Sequence, residues 1–96
     1  MDKDKIIASV LDKLRQNKLY QNLLNLLRKE EDPTEVEKIF RDFMNINKIE
    51  DKQEKQNVFA FLKLEGLFKE HVKKKGLHNV WITLRNEYAP HFLIEN

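Results

Sequence analysis

Apolar residues recur along this chain with the period of a helix, and polar or charged residues fill the gaps. Ile6, Ile7, Val10, Leu11 and Leu14 fall on one helical face. Asp2 or Asp4 can cap this first helix, where an acid also complements the positive helix end. Asn17 and Lys18 interrupt the stripe. Asparagine tolerates left-handed backbone, so a helix stop is expected at Asn17. Leu19, Tyr20, Leu23, Leu24, Leu26 and Leu27 form a second stripe, closed by Arg28, Lys29, Glu30 and Glu31. It is broader than a one-sided surface helix needs. It therefore belongs either at the centre of the core or at an interface.

Asp32-Pro33-Thr34-Glu35 is the clearest boundary. Asp32 suits an N-cap, Pro33 the first helical position, and Glu35 the acid of a capping box. Val36, Ile39, Phe40, Phe43 and Met44 then predict an amphipathic helix, with Glu37, Lys38, Arg41 and Asp42 outside. Lys38 and Asp42 are spaced to pair along the helix. Ile46 and Ile49 can seat a connection. The polar run Asp51 to Asn57 is either loop or the solvated first turns of the next helix. Val58, Phe59, Phe61, Leu62 and Leu64 define that helix, and Gly66 ends it by taking left-handed backbone. Leu67, Phe68 and Val72 begin a short helix. Lys73-Lys74-Lys75-Gly76 reads as its C-terminus, with Leu77 as the following apolar contact. Val80, Trp81, Leu84, Arg85 and Tyr88 suggest a last helix stopped before Pro90; Val80, Trp81 and Ile82 are also strand formers. The tail His91, Phe92, Leu93, Ile94 covers core if packed back and is a docking peptide if free.

The stripe–interruption–stripe pattern occurs twice, 48 positions apart. Val10 matches Val58, Leu14 matches Leu62, Leu19 matches Leu67, Tyr20 matches Phe68, and Leu24 matches Val72. Each copy describes a helical hairpin that cannot bury its own apolar face. The predicted fold is therefore all-α: a small bundle of five or six short helices, arranged as two hairpins around a central helix. Its expected segments are a first hairpin at 3–31, a central helix at 33–46, a second hairpin at 52–75, and a C-terminal helix and tail at 79–96.

Both copies resemble the LisH motif, a dimerising helical hairpin of many cytoskeletal, centrosomal and chromatin adaptors. The second copy is similar in its first half, through Phe61-Leu62 and Gly66-Leu67; its following helix is shorter and more basic. The first copy is similar in its second half, through Leu19, Leu23, Leu26, Leu27 and Glu30, with Lys18 where the family has glycine. The first copy also resembles the N-terminal hairpin of the centrosomal FOP and TONNEAU relatives. Through Lys13-Leu14, Leu23 and Leu26-Leu27-Arg28 it resembles the opening of the small adaptor of histone-deubiquitinase and mRNA-export complexes. What the resemblance implies is assembly: homodimerisation, or wrapping of another protein's helix. Two ordinary hairpins of a small bundle account for the same pattern.

Composition narrows the classes. At 96 residues the chain is one domain. With 41% hydrophobic and 35% charged residues it is globular, with a heavily solvated exterior. No cysteine is present, so disulfides and cysteine-ligated zinc are excluded. No apolar run approaches the roughly 20 residues that span a bilayer, and the N-terminus does not read as a signal peptide. A soluble intracellular protein is expected, cytoplasmic or, in a eukaryote, nuclear. Net charge is +2, distributed as +2 over residues 1–18, −2 over 28–55 and +3 over 61–78. That basic tendency is local and weak beside the usual footprint of a nucleic-acid binder.

Reactive constellations are sparse. His71, His78 and His91 lack metal-ligand spacing, and a solvent-facing or rim position is expected for them. With two glycines in total, a phosphate-cradling loop has no material. The paired acids sit beside lysines in polar stretches, as caps and solvated faces. No catalytic residue, cofactor, metal, membrane contact or small-molecule substrate is expected. The chain reads as a non-catalytic protein–protein interaction or adaptor module, self-associating or a subunit of a larger assembly, whose partner is itself or another helical protein. The candidate partner-binding residues are Leu19, Tyr20, Leu23 and Leu27 on the first hairpin, and Trp81, Tyr88 and Phe92 on a C-terminal surface. The alternatives are a small DNA- or RNA-binding regulator and a small inhibitor of a host enzyme. In the regulator, Lys63, Lys69, Lys73, Lys74, Lys75 and Arg85 would face phosphates, and a helix-turn-helix would have Gly76 in its turn.

Overall fold

The computed structural model describes residues 2–94, excepting the side chains of residues 2–4, 6, 7 and 11. Six helices follow in order: α1 (Asp2–Gln16), α2 (Lys18–Lys29), α3 (Pro33–Ile46), α4 (Lys52–Leu64), α5 (Leu67–Val72) and α6 (Lys75–Tyr88). No strand occurs among the described residues, so the Val80–Ile82 segment is helical. The chain is thus an all-α globule, and its radius of gyration of 13.2 Å is that of a compact domain. No helix among the described residues is long and apolar enough to cross a membrane.

Local chemistry sets most boundaries. Asn17 is the N-cap of α2: its Oδ1 accepts from the Leu19 N–H at 3.0 Å and the Tyr20 N–H at 3.2 Å. Its φ of −73° is ordinary extended backbone, so the expected left-handed stop is instead a side-chain cap. Asp32 caps α3 by accepting from the Thr34 N–H at 2.9 Å, with Pro33 in the first turn. The Asp32 N–H meets Glu30 Oε1 at 3.4 Å, so the expected capping box with Glu35 does not close. Asp51 caps α4, which makes the polar run from Lys52 the solvated first turns of that helix. The proposed caps Asp2 and Asp4 lie outside the described side chains.

Two helix ends use left-handed residues. Gly66, at φ 80°, closes α4 and donates to the Lys63 carbonyl at 3.0 Å. Lys48 does the same after α3 at φ 50°. There the Ile49 N–H reaches the Met44 carbonyl at 2.9 Å and the Lys48 N–H the Asn45 carbonyl at 3.2 Å. This is a Schellman closure, and its following apolar residue, Ile49, is buried. Gly76 does not end α5. It lies in the first turn of α6, where an added Cβ would stand 3.2 Å from Pro33 Cγ. The need is for close approach between the starts of α3 and α6.

The core runs through every helix. Leu23, Leu24 and Leu27 of α2 join Val36, Phe40 and Met44 of α3, Val58, Phe59, Phe61 and Leu62 of α4, Leu67 and Phe68 of α5, and Leu77, Trp81 and Leu84 of α6. α4 packs on α1, α2, α5 and α6, while α3 bridges α2 and α6. Phe40 sits edge-on to Phe59 (5.3 Å), Trp81 (5.2 Å) and Tyr88 (5.4 Å), the geometry the ring quadrupole favours. The tail packs back. Phe92 lies 5.7 Å from Phe59, Ile94 is buried, and Lys63 Nζ donates to the Leu93 carbonyl at 2.6 Å.

Candidate protein-interaction face

α2 and α3 each carry more apolar residues than one core-facing stripe can hold. On α2, the Asn17 cap sets the phase that turns Tyr20, Leu23, Leu24 and Leu27 inward. Leu19 and Leu26, seven positions apart, are left on an adjoining face with 52% and 56% exposure. On α3, Val36, Phe40 and Met44 are buried, while Ile39 and Phe43 are half-buried and Ile46 stands 78% exposed. Ile39, Phe43 and Ile46 are spaced i, i+4, i+7, a second stripe beside the first. The two outer stripes border one groove of about 290 Å³, with Leu23 in its lining and Asn22, Asp42 and Asn47 among its polar residues.

The polar edge is already ordered. Lys38 Nζ donates to Asp42 Oδ2 at 2.8 Å, and Asn47 Nδ2 donates to the Phe43 carbonyl at 2.9 Å. The Asp42 partnership holds the Lys38 ammonium above its ordinary pKa. The arrangement can exclude water from an apolar side chain placed in the groove, with polar groups ready at the edge.

The structure places most of the sequence-predicted contact residues elsewhere. Of the first-hairpin set, Leu19 alone is exposed; Tyr20, Leu23 and Leu27 are core. Tyr20 packs 5.6 Å from Phe61 and 6.2 Å from Phe43. Of the C-terminal set, Trp81 is 1% exposed, and Tyr88 and Phe92 are half-buried against Phe40 and Phe59. Trp81 is enclosed in the bundle, and Tyr88 and Phe92 pack against it while staying partly exposed. Ile49 seats the α3–α4 connection as expected, but Ile46 does not. Leu26 and Ile46 are the contact candidates that sequence reasoning missed. The available signal was the excess width of both stripes, which shows that a second face exists but not which residues occupy it.

The basic residues are divided as well. Lys74 is tied to Glu31 at 2.7 Å, Lys63 to the tail carbonyl, and Arg85 to Asn86 Oδ1 at 2.9 Å. Lys69, Lys73 and Lys75 are exposed and in no ion pair among the described residues. His71 overturns its expected rim position. It is buried between helices, and burial pushes its pKa down, opposed by its hydrogen bond to the Leu27 carbonyl. Among the described residues no group of histidine, aspartate and glutamate is placed to hold a metal ion.

Comparison of this chain with protein-family models, with curated proteins and with solved structures returns no match.

Proposed function

We propose that this chain is a non-catalytic helical interaction module that self-associates through its α2–α3 face. The observation that carries the reading is three large apolar side chains, Leu19, Leu26 and Ile46, exposed around one groove. Val10, Val72 and Leu93 are also exposed among the described residues, but they lie apart from this groove. Ile46 projects as a knob, and the groove beside it is a hole on the same face. A two-fold axis through that face places each Ile46 against the other copy's groove, which is the self-complementarity an isologous dimer requires.

The magnitude predicts a weak dimer. Covering each of these half-to-three-quarter exposed side chains contributes roughly 1–2 kcal/mol. Six such side chains oppose an association cost of roughly 4–15 kcal/mol, which leaves an affinity in the micromolar range or weaker. Sedimentation velocity over a concentration series tests it. The wild-type chain should shift from monomer toward dimer. Ile46→Asp and Leu26→Asp should remain monomeric with unchanged circular dichroism, because neither side chain supports the core. A wild-type chain that stays monomeric up to about 1 mM, the weak end of that range, refutes self-association.

A second reading rests on the exposed Lys69, Lys73 and Lys75. Three cations at one end of α5–α6 can meet phosphates, with binding that falls steeply as salt rises. Fluorescence-anisotropy titration with an oligonucleotide at two salt concentrations tests it; no response at low salt removes it.

A further inference from the structure

His71 is the one buried residue that is not apolar among the described residues. Its ring joins three helices by two directional bonds. On one side Nε2–H donates to the Leu27 carbonyl at 3.0 Å, in the last turn of α2. On the other, Nδ1 accepts from the Trp81 indole N–H at 2.9 Å, from α6. Trp81 Nε1 is a donor only, so Nδ1 must be bare, and the ring is the neutral Nε2–H tautomer. Every polar atom of the trio is satisfied in that state and in no other.

We propose that His71 is an acid-sensitive latch: a proton arriving at Nδ1 would face the Trp81 N–H donor and break the tie between α5 and α6, while Nε2–H stays on the Leu27 carbonyl of α2. Burial outweighs what favours the imidazolium here, of which the Leu27 carbonyl on Nε2 is the main part. Glu70, beside it on α5, favours the charged ring, but Arg28 on α2 already sits 3.5 Å from that carboxylate. Lys74 opposes the charged ring, and Glu31 is committed to Lys74 at 2.7 Å. From α4 the packing against α5 is apolar, through Phe59 and Phe68 at 6.1 Å. α6 brings Trp81, with His78 one turn earlier on the same helix.

The sign follows from linkage. The folded chain holds His71 below the usual 6.5, so the unfolded chain binds the proton more readily. The stability that neutral His71 contributes is fully present above the ordinary histidine pKa. It is lost as pH falls through the lowered folded value.

Trp81 is the sole tryptophan and serves as the reporter. Urea denaturation followed by its fluorescence, at pH 7.5 and 5.5, is compared between the wild-type chain and His71→Gln. Gln keeps a donor and an acceptor but cannot titrate. The folded-to-unfolded ratio of the wild type should fall by up to about tenfold more than that of the variant, the ceiling set by one ordinary histidine. Equal pH responses overturn the latch. If His71→Gln does not fold, nuclear magnetic resonance of the wild-type imidazoles decides. A ring that stays in the neutral Nε2–H form until the Trp81 indole signal reports opening supports the proposal. Titration of His71 within an unchanged fold overturns it.

Discussion

Lys48 offers a clean test of how α3 is closed. Its φ of 50° puts an L-residue in the left-handed region, where Cβ crowds the following carbonyl and costs roughly 1–2 kcal/mol. The Schellman bonds from Ile49 to Met44 and from Lys48 to Asn45, together with the buried Ile49, hold it there. The Lys48 side chain is exposed and makes no hydrogen bond or ion pair among the described residues, so its removal sacrifices little. Lys48→Gly removes the steric cost but frees the unfolded chain by about 0.5–1 kcal/mol. The net gain is about 0.5–1 kcal/mol. For a domain of this size that raises Tm by about 2–8 °C. Thermal unfolding followed by circular dichroism measures it, with Lys48→Ala as the control that keeps Cβ while losing the ammonium. If the Gly chain melts no higher than the Ala chain, then Lys48 is not under left-handed strain and the closure is misassigned.

The remaining predictions follow the same logic. Gly66→Ala should destabilise by about 0.5–1 kcal/mol in urea titration, the left-handed cost less the unfolded-chain entropy that Ala removes. A Cβ there meets nothing within 4 Å, so the loss comes from the φ of 80° alone and D-alanine at this position should abolish it. Phe40→Ala removes the ring shared by Phe59, Trp81 and Tyr88 and should cost about 3–5 kcal/mol, visible as a chain largely unfolded on modest warming. Ile46→Asp should leave the unfolding midpoint unchanged while removing any dimer, and His71→Gln should flatten stability between pH 7.5 and 5.5.

Features that depend on neighbours in the chain were the legible ones. Asp32-Pro33 announced α3 because capping is a local bond between a carboxylate and an N–H two residues on. Gly66 announced the α4 terminus because the left-handed region favours glycine over any L-residue. The positions of Val36, Phe40 and Met44 announced a buried face because helical geometry alone brings them together. Gly76 misled for the opposite reason. Beside three lysines it has the look of a helix end, yet the constraint on it is Pro33, 43 positions away in the chain.

The candidate face was half legible. An apolar stripe wider than a single contact surface can be counted in the sequence of α2, and it states that some of those leucines will be left over. Which ones are left over depends on where α3 and α4 press against α2, and that selected Leu19 and Leu26 while burying Tyr20, Leu23 and Leu27. The aromatic residues near the C-terminus divided the same way. Trp81, Tyr88 and Phe92 suit an interface as readily as a core; packing on Phe40, Phe59 and Phe68 enclosed Trp81, while Tyr88 and Phe92 stayed partly buried against Phe40 and Phe59.

By itself, then, the amino-acid order determined the all-α class, a count of five or six helices and many of their ends, since hydrophobic period, caps and turn residues act within a few positions. Tertiary packing decided which apolar residues remain uncovered and that His71 lies between Leu27 and Trp81. Burial and long-range hydrogen bonds arise only when segments 10 to 44 residues apart are brought together, and no local pattern encodes that meeting.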